Sequence, residues 1–395
     1  MSFQNVKHDL AVPADELVAE PSAPEESASE ADSASTVQTL ALSFTGSGRE
    51  YFRIRVVNLL LSLASAGIYS AWAKVRRLQY FDRNTELAGA RFDFHGKLRS
   101  ILWGRALAVV LLAAYHYAFG ISIAAGVVTI AVLFASLPFL MRGALRFRLG
   151  NTSYRGLHFH FSGSVPMAYK VYLAPIAIFL LPGVLAAVYG ETPWVAAVCL
   201  LYLAWPTMYA WMKHYQYAHV SYGDQDSYNE LTVPEFFGIY VRGLLLATTI
   251  VLAVFVASLA SLPLRAMLSE ATANAVLGVV IVLVTAFMAY ALLGPYQQVR
   301  VFNLCMRHTD FPGVRLVSSM SARAFARLQL KNLMLTLLTL GLYRPFAVVS
   351  AYRYRLDHLH LEVEGGFDHV VSQAAARGGA AGDGAADFLG VDLSW

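Results

Sequence analysis

Residues Ile121–Met141 read ISIAAGVVTIAVLFASLPFLM, and no side chain in the stretch carries a charge. About twenty mostly apolar residues cross the hydrocarbon core of a bilayer, so the run is long enough to be a membrane helix. Five more stretches pass the same test: Ile101–Phe119, Val171–Tyr189, Trp194–Trp211, Tyr240–Leu262 and Asn274–Gly294. They fall in pairs, parted by Gly120, by 189–193 and by Pro263–Ala273, which predicts three helical hairpins. Composition agrees. The chain is 57% hydrophobic and 14% charged, against ~45–50% and ~25% for a soluble domain, with mean hydropathy +0.51. Two cysteines, one in an apolar run and one in a basic stretch, exclude a disulfide scaffold.

Two further apolar runs, Ile54–Ala73 and Leu328–Val349, are more polar and resemble each other. One holds Asn58, Gly67 and Tyr69; the other holds Asn332, Gly341 and Tyr343, all at one offset of 274 residues. Both are basic at each end. Lysine and arginine stay on the cytoplasmic side. Eight full spans would put nine bases outside: Lys7, Arg49, Arg53, Arg55, Arg265, Arg344, Arg353, Arg355 and Arg377. If the two odd runs dip in, turn at Gly67 and Gly341 and return, only Arg265 lies outside. The expectation is therefore six firm spans plus two re-entrant, glycine-broken segments, with eight spans as the alternative. Irregular backbone is tolerated at membrane depth where protein covers it, and amides such as Asn58 and Asn332 can bond a neighbouring helix.

Between the spans lies a second repeat. Asn84-Thr-x3-Gly89-x2-Phe92-x-Phe94-x-Gly96 recurs without a gap as Asn151-Thr-x3-Gly156-x2-Phe159-x-Phe161-x-Gly163. A third copy, His308-Thr309 to Ser318, has substitutions, and 42–46 and 361–365 are partial copies; Lys213–Asn229 holds the corresponding place but matches poorly. Alternation of phenylalanine with polar residues is the period of a strand. Strands are expected at 40–46, 91–95, 157–161, 314–318 and 359–363, forming a small β cap on the cytoplasmic side. The fold class is an α-helical polytopic membrane protein carrying that cap.

Net charge is +4 but unevenly spread. Residues 1–40 hold eight acids and one base, and the remainder holds 29 bases and 18 acids. The expected division is an acidic disordered tail over 1–39, one membrane domain over 40–371 and a flexible Ala/Gly-rich tail over 372–395. The first segment has neither the apolar core of a signal peptide nor the arginines of a transit peptide.

The string Gly67-Ile-Tyr69-Ser-Ala-Trp72-Ala-Lys74-Val-Arg76-Arg77, with Phe44-Thr-Gly-Ser-Gly48 before it and Asn84-Thr85 to Gly104-Arg105 after it, is similar to the YjgN family of bacterial inner-membrane proteins. The likeness runs from about residue 40 to about 372. It implies a multi-pass protein of the bacterial cytoplasmic membrane and brings no assigned catalytic or binding residue with it.

The residues offer little chemistry. His158-x-His160 and His358-x-His360 place imidazoles where a metal could bind, though the plain reading is the polar face of a strand. Among the six firm spans the one histidine is His116, at the outer end of its run beside Tyr115 and Tyr117. Lys74, Arg76, Arg77 and Arg105, interleaved with Trp72 and Trp103, fit contact with anionic lipid headgroups better than nucleic acid. No phosphate loop, nucleophile elbow or dinucleotide fingerprint occurs, and no cofactor is implied. The expected partners are the bilayer, anionic headgroups on its cytoplasmic face, and proteins that could meet the tails and cap. Three functions are compatible: a non-catalytic membrane scaffold or lipid-organising protein, a passive or facilitated transporter, and a lipid-modifying enzyme. The scaffold stands first and the transporter second, and a proton-driven pump is disfavoured because it needs a chain of buried Asp, Glu or His that the runs lack.

The charge count makes a direct forecast. A reporter fused after Trp395 should report the cytoplasm; periplasmic phosphatase activity from that fusion would restore eight spans.

Overall fold

The computed structural model describes residues 37–190, 192–259 and 270–377. The acidic segment 1–36, Glu191, residues 260–269 with Arg265, and 378–395 lie outside the described residues.

Eleven strands form one sheet that the paired helices leave and rejoin. They are β1 (Gln38–Phe44), β2 (Thr85–Leu87), β3 (Ala90–Phe94), β4 (Thr152–Tyr154), β5 (Leu157–Phe161), β6 (Val220–Tyr222), β7 (Gln225–Asp226), β8 (Tyr228–Asn229), β9 (Thr309–Phe311), β10 (Val314–Ser318) and β11 (Leu359–Val363). Their order, β7-β6-β5-β4-β3-β2-β1-β11-β10-β9-β8, brings the two ends of the chain together. β1 pairs antiparallel with β11, Leu40 opposite Leu361. The first and last strands of the order are parted by Ser227 alone, so the sheet returns on itself as a ring. Ser227 is buried and ties the junction to the neighbouring strand: its N–H donates to Val220 O at 2.8 Å and its hydroxyl to Tyr217 O at 2.6 Å.

The five strands read from alternation are all present, at Gln38–Phe44, Ala90–Phe94, Leu157–Phe161, Val314–Ser318 and Leu359–Val363. The expected small cap is larger, because each Asn-Thr segment read as a turn is itself a short strand. Ala88 and Gly89, and Arg155 and Gly156, have φ of 45°, 72°, 47° and 81°. Positive φ at both central residues gives the mirror-image turn that matches strand twist. The poorly matching stretch 213–229 supplies β6, β7 and β8.

The repeat has a structural cause. The threonine after each returning helix, Thr85, Thr152 or Thr309, donates back to the carbonyl four residues earlier at 2.8, 2.9 and 2.7 Å. Asn84 and Asn151 do the same to Tyr80 O and Phe147 O at 2.7 and 2.8 Å. These bonds satisfy carbonyls that a helix end leaves without partners. In each Phe-x-Gly the ring folds over the glycine: a Cβ at Gly46, Gly96 or Gly163 would sit closer than 3.0 Å to Phe44, Phe94 or Phe161.

Between strands stand five helical hairpins. The first is α1 (Gly48–Ala64) with α2 (Ser70–Arg83), and the second α3 (Leu98–Ile121) with α4 (Ile123–Gly150). The third is α5 (Val165–Tyr189), then α6 (Pro193–Val198), a 3-10 segment Cys199–Ala204 and α7 (Trp205–Tyr217). The fourth is α8 (Val233–Leu259), then α9 (Glu270–Met288), a π segment Ala289–Leu293 and α10 (Gly294–Arg307). The fifth is α11 (Ala322–Leu338) with α12 (Arg344–Asp357), followed by α13 (Phe367–Arg377). α12 packs on α1 and closes the helical ring above the sheet.

Among the described residues five helices are long and apolar enough to cross a membrane: Leu98–Ala118, Ile123–Gly150, Val165–Ala186, Val233–Leu259 and Ala275–Arg307. Only 6–28% of each most apolar window is buried inside the protein, so these faces look outward. The run 194–211, expected as a sixth regular span, winds as α-helix, 3-10 helix and α-helix again.

The two glycine-broken segments are hairpins with matching turns. Ala66 and Gly67 have φ of 48° and 90°; Leu340 and Gly341 have 49° and 93°. Gly67 N–H donates to Ser62 O and Gly341 N–H to Thr336 O, both at 2.7 Å. Ser65 Oγ accepts from Tyr69 N–H at 2.8 Å and Thr339 Oγ1 from Tyr343 N–H at 3.0 Å. α13 continues into residues 372–377, the start of the stretch read as tail.

A left-handed backbone costs a side-chain-bearing residue ~1–2 kcal/mol. Gly341→Leu should therefore lower stability by about that much, whereas Gly278→Leu, with nothing within 4 Å of its Cβ position, should not. Melting of the two variants in the same detergent checks this.

Candidate functional site

Side chains on one face of the ring point to its axis and leave a chamber of about 450 Å³. The first phenylalanine of each full repeat, Phe92 and Phe159, lines it, with Leu42, Leu316 and Leu361 from other strands. The second phenylalanine turns instead to the helices: Phe94 packs edge-on to Phe147, and Phe161 to Tyr215, at 6.1 and 5.4 Å between centroids. A ring of this many strands is too wide for its own side chains to fill.

α13 covers one end. Phe367, Val370 and Val371 line the chamber there. Arg155, at the β4–β5 turn, donates to Asp368 at 2.5 Å and to Ala88 O at 3.0 Å, and lies 5.0 Å over the Phe367 ring. The last turns of the returning helices form the other end, through Asp82, Leu149, Tyr217, Met306 and Leu356. These residues stand two before the cap position of each copy, so the repeat itself sets them in a circle.

Asp82 is buried, 4% exposed, and Arg148 donates to both of its oxygens at 2.9 and 2.8 Å. The pair ties α2 to α4. A bidentate arginine–carboxylate contact fixes geometry as well as charge. Arg148 also lies 5.2 Å over the Phe94 ring. Most polar groups of the wall are partnered. Tyr154 donates to Leu87 O at 2.6 Å, Tyr222 to Tyr154 O at 3.0 Å, and Tyr352 shares a hydrogen bond with Thr85 at 3.0 Å. Burial pushes the Tyr154 and Tyr352 hydroxyls up, and burial with Tyr154 beside it pushes Tyr222 up to about 12. All three stay protonated at neutral pH.

The residues singled out in the sequence sit mostly above the chamber. Asn332 is buried and donates to Ser350 Oγ at 3.0 Å and Ala347 O at 3.4 Å, joining α11 to α12. Asn58 is buried with its Oδ1 lacking a hydrogen-bond partner. Tyr69 stacks on Trp72 at 5.9 Å and Tyr343 on Phe346 at 5.5 Å. His116 is exposed near the end of α3, edge-on to Tyr117 at 5.1 Å.

Arg105 bonds Ser70 Oγ, linking α3 to the start of α2, and Arg76 is exposed on α2. Lys74 and Arg77 are half-buried on the same helix. Lys74 is held down to about 8, first by burial and then by Arg105, Arg77 and Arg148. His95 and His158 are 5.7 Å apart on the outer face of the ring, and His358 caps α12 by its Nδ1 contact with Tyr354 O at 2.8 Å. Among the described residues no three His, Cys, Asp or Glu gather at metal-binding spacing.

Sequence reading missed the Asp82–Arg148 pair. A signal was present, since Asp82 is the one acid amid Lys74, Arg76, Arg77 and Arg83. Its partner lies 66 residues away, and only the ring topology brings them together.

Removing one member of a buried pair costs ~3–5 kcal/mol. Arg148 keeps 31% of its side chain exposed, so Asp82→Ala should cost less, about 2–3 kcal/mol. Replacing both, Asp82→Asn with Arg148→Gln, should cost less than Asp82→Ala alone. Thermal melting of the two proteins provides the comparison.

Comparison with known proteins agrees with a membrane protein. The chain is 30% identical over 155 residues to the inner membrane protein YjgN of Salmonella typhimurium, a match covering 38% of each protein. It is 32% identical over 128 residues to the inner membrane protein YjgN of Escherichia coli K12, covering 31% of each. Each match thus spans well under two thirds of the relative. No solved structure matches. The family described as bacterial protein of unknown function (DUF898) matches residues 39–388, nearly all of the ring and its hairpins, and the chain belongs to it.

Proposed function

We propose that the protein is a multi-pass inner-membrane protein that binds a small, largely apolar solute in the β-ring chamber and lets it pass by facilitated, uncoupled movement. The observation that carries this reading is the chamber itself: about 450 Å³, inside the ~300–1,000 Å³ range of small-molecule sites, and lined by helix ends on one side and by α13 on the other. The inner-membrane setting follows the relatives' names and the five apolar helices. The positive-inside count supports a cytoplasmic ring with six spans and two re-entrant hairpins.

The charge distribution favours uncoupled movement. Among the described residues, the interiors of the five spans hold neither aspartate nor glutamate, and a proton-coupled carrier needs such groups. The chamber wall supports no catalytic reading either. Its carboxylate is engaged by Arg148, and its tyrosines are held protonated. A lipid-organising scaffold, the role the sequence puts first, keeps the same helices but gives the chamber no task.

Solvent extraction of the purified full-length protein, followed by mass spectrometry, separates the two. The chamber reading expects one class of small molecule near stoichiometric amounts. It should be reduced in Leu361→Trp, which takes up part of the cavity, while melting stays unchanged. Recovery of bulk lipid only, alike in both proteins, would leave the scaffold.

A further inference from the structure

The chamber is polar at one end. Asp82 and Arg148 are the charged members of its wall, and both stand at the helix end. The wall toward α13 is aliphatic and aromatic, from Leu42 and Leu87 to Leu361 and Phe367. A cavity with a long apolar body and one charged corner suits an amphiphile. The pair alone does not choose the sign of its head, because Arg148 could receive an acid and Asp82 a base.

The groups around the pair choose it. Lys74 lies close enough to Arg148 to be repelled by it, together with Arg77 and Arg105. On the opposite side of the mouth the Lys213 ammonium lies 5.9 Å from the ring centroid of Tyr217 and 5.4 Å from that of Tyr209. Tyr217 belongs to the chamber wall. Burial holds Lys213 below its ordinary value, so its solvation is already reduced. Arg355 acts on the same Tyr217 and donates to Gln298 at 3.3 Å. Cationic groups of the second and third hairpins, Arg148 in the wall and Lys213 beside the wall residue Tyr217, thus stand at this end. Among the described residues one carboxylate, Asp82, belongs to the wall, and Arg148 already engages it. An added anion is attracted by Arg148 and Lys213, whereas an added cation is repelled by them.

We propose, resting on the chamber reading above, that the ligand is an anionic amphiphile, with its apolar chain along the β-ring and its acidic head at Arg148. The head shares Arg148 with Asp82, and the guanidinium has donors for both, since it carries five N–H groups. Tyr217 and Lys213 form the rest of the polar corner. The chain ends against Phe367 and Val370 of α13.

The test uses full-length protein in non-ionic detergent. The probes are a fluorescent long-chain carboxylic acid and its methyl ester, which share a chain and differ in charge. A charge-assisted hydrogen bond to a ligand head is worth roughly tenfold or more in affinity, so wild type should prefer the acid by about that factor. The double variant Asp82→Asn, Arg148→Gln should bring the ratio to about one and leave ester affinity unchanged. Should that variant not be recovered folded, Lys213→Gln, which leaves the ion pair intact, should still lower the ratio several-fold. An unchanged ratio in a folded variant overturns the head assignment.

A single-chain phosphate monoester should displace the acid, and inorganic phosphate at equal concentration should not. Equal displacement by both overturns the amphiphile. Equal affinity of wild type for acid and ester overturns the anionic head while leaving the chamber as a ligand site. Undiminished binding of both probes to Leu361→Trp overturns the chamber reading as well.

Discussion

The pairing of β1 with β11 is the contact on which the rest of the structure depends. It joins residues 38–41 to residues 360–363, across nearly the whole described chain. A sheet edge presents unpaired N–H and C=O groups that invite other chains. Closing the ring removes both edges at this seam, and Ser227 carries the sheet between β7 and β8 at the far side. Membrane helices alone could be joined by loops of any kind. Here each connection must deliver strands in register to a ring whose two neighbours are already fixed.

That requirement shapes the membrane part. A helix pair that leaves the ring must come back to it, so every pair is a hairpin, including the short ones that turn at Gly67 and Gly341. The returning helices end at equivalent heights because each is followed at once by a capping Asn or His and a strand. Their last turns therefore meet around the axis. A chamber results from ordinary strand alternation: one face turns inward, and eleven strands enclose more space than those side chains fill. The polar corner follows from the same construction, since the returning helices end in stretches rich in arginine and lysine.

Much of this was legible in the chain. Apolar runs gave the long helices, and period-two phenylalanines gave the longer strand of each copy. Gly67 and Gly341 gave the turns. The three-residue strands β2, β4 and β9 were not legible, because a segment that short has no period to read and Thr-x-Leu or Thr-x-Tyr serves a turn equally well. The strands of 213–229 were hidden by the loss of both phenylalanines: Val220-Ser-Tyr222 keeps the alternation with different residues. Ring closure was invisible, since no local signal records that residue 40 lies opposite residue 361. The Asp82–Arg148 pair was hidden for the same reason. Either residue alone reads as part of a basic stretch at a membrane surface.

The two duplicated hairpins show how far internal symmetry carries an argument. Their turns agree down to the hydrogen bond from glycine N–H, at 2.7 Å in each. Their interiors do not. Asn332 exchanges hydrogen bonds with Ser350, at 3.0 and 3.3 Å. The same offset of 274 residues places Asn58 against the position of Arg76 rather than a serine. Arg76 points to solvent, and the buried Asn58 Oδ1 is left without a donor. An unsatisfied buried acceptor costs ~1–3 kcal/mol. Duplication thus preserved the backbone device that returns the chain to the ring, while the side-chain lock between the two arms survives in α11–α12 and not in α1–α2. The first hairpin is held instead from outside, by α12 packed along α1 and by Arg105 bonded to Ser70 at its turn. It is also the hairpin that brings Asp82 to the chamber mouth, so the polar corner is built on the arm whose internal lock is weakest.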